Sequence, residues 1–155
     1  MDMNTPQAAF YARALLTPVS QDMQYSRFLH LSNWRTFSPP PQDWPLAVCN
    51  SRSVPDEDGL VNLAVYQDDP PPEDLENLPP VPEGVRTGEA FVFLFSEKYE
   101  WNYFSWMGKD EVLSFKLHDS DHSGTWRTPH CSFLNDEEGC HQRESIEIRT
   151  CCYWK

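Results

Sequence analysis

No stretch of this sequence approaches the roughly 18 consecutive apolar residues that a membrane-spanning helix needs. Its opening, MDMNTPQAAFYARALL, has no basic region followed by an apolar run and a small-residue cleavage site. Neither membrane insertion nor secretion is expected, and a soluble, cytoplasmic protein is. Positive charge is scarce as well: 12 Lys and Arg stand against 24 Asp and Glu, a formal net charge of -12 at pH 7. Such a surface repels phosphate backbones and anionic headgroups, so nucleic acid and membranes are poor partners. The five cysteines, Cys49, Cys131, Cys140, Cys151 and Cys152, are odd in number and lack a secretory context. Reduced thiols are therefore expected in place of a disulfide framework. Around Cys131, Cys140, His141 and Cys151 the closely spaced ligand pairs of a structural zinc site are missing, which argues against zinc.

What the chain does hold is rings. Aromatic residues make up 14% of it while apolar residues reach only 39%. At about 150–250 Å² each, the rings must carry much of the burial, so Trp and Tyr are core by default. A chain of 155 residues has room for one domain, expected to span residues 1–155. Ala8, Ala9, Ala12, Leu15 and Leu16 fall close to helical spacing behind Thr5 and Pro6, which predicts a short amphipathic helix over residues 5–16.

From Tyr25 onward the pattern changes to short aromatic and β-branched runs separated by turn formers, the signature of an all-β sandwich or barrel. Strands are predicted over residues 28–34, 46–49, 60–66, 89–95, 101–104, 111–117, 130–133 and 144–153. The segment QDDPPPEDLENLPPVPEGVR, residues 67–86, is dense in proline and acid and reads as a solvated loop. His118, Asp119, Asp121 and His122 in HDSDHSG read as a turn closed by side-chain to backbone hydrogen bonds. In the last strand Ile146 and Ile148 alternate with Glu147 and Arg149; one face meets the core and the other meets solvent or a barrel cavity.

Four blocks follow one another along the chain: NWR at Asn33 to Arg35, PLAVCNSRSV at Pro45 to Val54, GEAFVF with WNYFSWMGKDEVLSFKLHDSD from Gly88 to Asp121, and TPHCSF followed by RESIEIR. Together they resemble the fungal and bacterial hydroxylase/desaturase family that includes the hydroxylase component of cephem methoxylation. The resemblance covers nearly all of the chain but only the C-terminal half or so of a usual member, so a truncated barrel is expected. It implies a double-stranded β-helix, the jelly-roll or cupin-like barrel of iron(II) and 2-oxoglutarate dependent oxygenases. Such enzymes hold iron with two histidines and one carboxylate.

In the family a His-x-Asp pair precedes a Thr-Pro; here those two positions fall on Met1 and Met3. His130 matches the distal histidine, and Arg143 or Arg149 lies where an arginine would clamp the oxoglutarate carboxylate. Tyr99 stands where members often carry a histidine, and Asn50 replaces a usual aspartate. One imidazole alone is a poor iron site, so the expectation is a protein with no metal and no cofactor.

Three readings stay open at this point. One is a metal-free descendant that uses the barrel for a redox-neutral step such as isomerisation, dehydration, cyclisation or a pericyclic reaction. Another is an iron oxygenase with an unorthodox or partner-completed site, and the last is a non-catalytic binding module. For the first, His130 is the candidate general acid or base, Arg143 and Arg149 the cationic donors and Tyr103 a neutral donor. Trp34, Trp101, Trp126 and Tyr99 are the candidate lining around a polyketide- or terpenoid-like substrate. His130, Arg143 and Arg149 are expected in one cavity, because residues six apart on an unbroken strand share a face. Ile146 and Ile148 would then lie outside the barrel, under the N-terminal helix. Exposed strand edges in a truncated barrel favour a homodimer that closes the cavity.

Overall fold

The computed structural model describes residues 25–66 and 86–155. The helix expected over residues 5–16, the positions of Met1 and Met3, and residues 67–85 of the proline-rich segment lie outside the described residues. Those described form eight strands: β1 (Arg27–Thr36), β2 (Leu46–Cys49), β3 (Gly59–Tyr66), β4 (Arg86–Phe93), β5 (Trp101–Tyr103), β6 (Leu113–Asp119), β7 (His130–Ser132) and β8 (Ser145–Trp154). Two single-turn 3-10 helices, Ser51–Ser53 and Asp56–Asp58, connect β2 to β3. The all-β expectation holds, and β2 falls on the residues the sequence marks for it.

Other strand ends move. Arg86 begins β4 and so does not belong to the loop. β6 runs on through His118 and Asp119, which were expected in a turn. An acid can end this strand because Arg27 and Lys116 both donate to the Asp119 carboxylate. The turn proper follows it, where the Asp121 and Ser123 backbone N–H groups donate to the carboxylates of Asp119 and Asp121.

The strands make a β6-β1-β8 sheet, a β5-β2-β7 sheet and a β3-β4 hairpin, with antiparallel pairing throughout. Trp34 of β1, Phe115 of β6 and Met107 form a buried cluster against which Leu46 and Val48 of β2 pack together with Leu113 and Leu117. This cluster joins the two larger sheets face to face.

β1 alternates strictly. His30, Ser32, Trp34 and Thr36 are buried, while Leu29, Leu31, Asn33 and Arg35 are only partly so. On β8, Arg149 lies opposite Ser32 and Glu147 opposite Trp34, whereas Ile148 lies opposite Asn33 and Ile146 opposite Arg35. Directly opposed residues share a face of the sheet. The charged face of β8 therefore lies on the side of Ser32 and Trp34, with the Arg149 side chain still 54% exposed, and the isoleucines lie on the opposite side, 43% and 57% exposed.

Candidate functional site

The larger cavity, about 520 Å³, is lined by Phe91 and Phe93 of β4, Trp101, Leu117, His130 and Arg149 together with the segment that leads into β7. Three of the residues singled out in the sequence thus meet in one place: His130, Arg149 and Trp101. β7 sets His130 opposite Val48, which faces the core cluster, and the imidazole packs against the Phe115 ring with 4.7 Å between centroids. Its Nδ1 lies 3.0 Å from the Thr128 carbonyl oxygen. A carbonyl can only accept, so Nδ1 carries the proton, and Nε2 of the neutral ring is left as a base.

Arg149 is oriented from below. Its Nε donates to Glu147 Oε1 at 2.7 Å, and the same oxygen accepts from the hydroxyl of Ser32 at 2.9 Å. Ser32 is completely buried, which anchors the carboxylate on β1. The Arg149 contact, reinforced by Ser32 and opposed by burial, holds the Glu147 carboxyl below the usual carboxylate range. Only Nε of Arg149 is engaged among the described residues, so the terminal guanidinium nitrogens keep their donors for a ligand. Next along β1, His30 sits opposite His118 and Cys151. Burial, with the Arg149 charge adding to it, pushes the His30 imidazole below its ordinary value and keeps it neutral.

The remaining candidates lie elsewhere. Arg143 was expected beside Arg149, but β8 begins only at Ser145, so strand parity does not extend to it. Its backbone N–H donates to Asp43, its guanidinium donates to the Trp44 carbonyl, and it lies 6.0 Å from the centre of the Trp34 ring. Trp34 belongs to the core cluster and lines neither cavity. Tyr103 packs edge-on against Phe133 at 4.9 Å. The Tyr99 hydroxyl donates to Asp58 at 2.7 Å, a bond that, with burial, pushes the phenol up to about 12.

Trp126 lines a second cavity, about 310 Å³, and its Nε1 donates to Asp56. Sequence reasoning did not single out Arg127, which lines both cavities. No spacing signal marks it, because its neighbours come from the β3-β4 hairpin and the loop before it. Glu147 was legible only as a face-mate of Arg149.

The family model described as the oxidoreductase/YMDC permease-like domain matches residues 1–153 of this chain. The Fe(II)/2-oxoglutarate-dependent dioxygenase nvfI of Aspergillus novofumigatus is 34% identical over 127 residues, which cover 80% of this chain and 40% of the relative. The hydroxylase/desaturase efuI of Hormonema carpetanum is 32% identical over 119 residues, 72% of this chain and 36% of the relative. This chain belongs to that oxygenase-like hydroxylase/desaturase family. It spans about two fifths of the length of these two curated relatives. A solved structure of the iron and alpha-ketoglutarate-dependent endoperoxidase NvfI superimposes with a TM-score of 0.69 at 29% identity, covering 98% of this chain and 50% of that one. The fold of the family, a double-stranded β-helix, is thereby shared.

Iron and 2-oxoglutarate are the groups such a family implies. Among the described residues no three His, Cys, Asp or Glu side chains come together as ligands for an ion. Around His130 the neighbouring acid is Glu147, and its carboxylate is already shared by Ser32 and Arg149. The described residues therefore do not by themselves fit an iron site.

Proposed function

We propose that this chain is a tailoring protein of specialised metabolism that binds an apolar, polyketide- or terpenoid-like small molecule in the larger cavity and catalyses a redox-neutral isomerisation, dehydration, cyclisation or pericyclic step without a metal. The observation that carries this is the meeting of His130 and Arg149 in a cavity otherwise rich in Phe91, Phe93, Trp101 and Leu117. The apolar rings hold a substrate in one folded conformer, which removes several kcal/mol of entropic barrier. Arg149, fixed through Glu147, places a cation against a substrate carbonyl and stabilises negative charge as it builds there. Nε2 of His130 removes the adjacent proton and returns it at the product position, a role worth about 10²–10⁴ in rate.

A second reading is favoured by the relatives, which are named as an Fe(II)/2-oxoglutarate-dependent dioxygenase and a hydroxylase/desaturase, and by the resemblance of His130 to the family's distal histidine. On that reading further ligands come from outside the described residues or from a partner. Elemental analysis of freshly purified protein separates the two. The metal-free reading expects no stoichiometric iron, and a ligand-binding signal unchanged by chelator but lost in His130→Ala and Arg149→Ala. Stoichiometric iron whose chelation abolishes ligand binding would overturn it.

A further inference from the structure

The two cavities are neighbours whose linings share Arg127 and Pro129, and of these Arg127 carries the long side chain. The Arg127 guanidinium lies 4.4 Å from the centre of the Phe91 ring and 4.9 Å from that of Phe93, both of which line the larger cavity. It also lies 4.3 Å from the centre of the Trp126 ring, which lines the smaller one. Only 6% of the residue is exposed, and Nη2 donates to the Asp56 carbonyl at 2.9 Å. The tip also fills the space beside Gly59, where a Cβ would come within 2.4 Å of Nη1. Phe91 and Trp126 meet edge-on at 5.9 Å beside it.

We infer that Arg127 is a partition that sets the length of ligand the larger cavity accepts, with the smaller cavity as the space behind it. This rests on the binding role proposed above, in which the polar head of the ligand sits at Arg149 and His130 and its apolar body runs along Phe91 and Phe93 toward Arg127. A planar cation with aromatic rings around it is well suited to such a wall. It is held by the rings and by carbonyls without filling the volume on either side. The ligand class that follows is an amphiphile with one anionic or carbonyl head and an apolar tail of limited length.

The test uses n-alkyl carboxylates from octanoate to octadecanoate, titrated into the full chain by calorimetry below their aggregation concentrations. For the unaltered protein, affinity should rise about fourfold for each added methylene while the tail is still being buried, then stop rising at a break length. In Arg127→Ala and in the milder Arg127→Gln the break should move to longer chains, while the affinity of the shortest members stays within about twofold, since the head contacts are untouched. Arg149→Ala should weaken every length alike. An unmoved break in a folded Arg127 variant overturns the partition. Loss of folding in both variants also overturns it, because Arg127 would then be serving the fold. Failure of the unaltered protein to bind any member would remove the binding role itself, and binding with an unchanged break would remove only the partition.

Discussion

Replacing Asp119 with Asn tests the electrostatic clasp that closes β1 onto β6. Asp119 is fully buried, and its two carboxylate oxygens accept four hydrogen bonds: from Arg27 Nε at 2.8 Å and Nη2 at 2.6 Å, from Lys116 Nζ at 2.7 Å and from the Asp121 backbone N–H at 3.1 Å. The Arg27 bonds, followed by Lys116 and opposed by burial, hold the carboxyl far below its usual range. Asn keeps the shape but presents an amide N–H₂ to two cations. Breaking a fully buried pair costs about 3–5 kcal/mol. Here the Arg27 and Lys116 side chains remain 36% and 33% exposed, so water recovers part of their solvation and the lower end, about 3 kcal/mol, is expected.

For a chain of this size that is a fall in melting temperature of roughly 6–12 °C, and urea denaturation at pH 7 followed by circular dichroism measures it directly. The pH dependence is a second check. Because the folded-state pKa is depressed below the unfolded value of about 3.9, the stabilisation is complete above that value and is lost as pH falls through the folded one. Wild type and Asp119→Asn should therefore converge in acid below about pH 4. A loss of less than about 1 kcal/mol at pH 7, or a difference that persists undiminished in acid, would refute the clasp.

Gly59→Ala should destabilise by about 1–3 kcal/mol, because the new methyl group drives the Arg127 tip off its three rings and the Asp56 carbonyl; an unchanged urea midpoint would show that the guanidinium relocates at no cost. Trp34→Ala, at a site 7% exposed in the core cluster, should cost about 3–5 kcal/mol. Trp101→Ala, at a site 43% exposed, should cost less than about 1 kcal/mol. Equal losses measured by chemical denaturation would contradict the assignment of Trp34 to the core and Trp101 to the cavity wall.

Much of this fold is local, and the sequence by itself determined that much. Leu46–Cys49 reads as a strand because a short apolar run lies between a proline and turn formers, and it is one. The alternation of Ile146 and Ile148 with Glu147 and Arg149 already divides β8 into an apolar and a charged face. Alternation cannot say which face points inward, because that depends on what lies opposite. Only pairing with β1 turns Glu147 and Arg149 toward Ser32 and the cavity. The same limit explains the arginines. Arg143 and Arg149 look equivalent by parity, yet the strand starts between them, and the cation that joins His130 and Arg149 at the cavity is Arg127. Its neighbours Phe91, Phe93 and Gly59 lie more than thirty residues away in the chain. A contact at that separation leaves no periodic trace, since it is decided by how the hairpin settles on the two sheets.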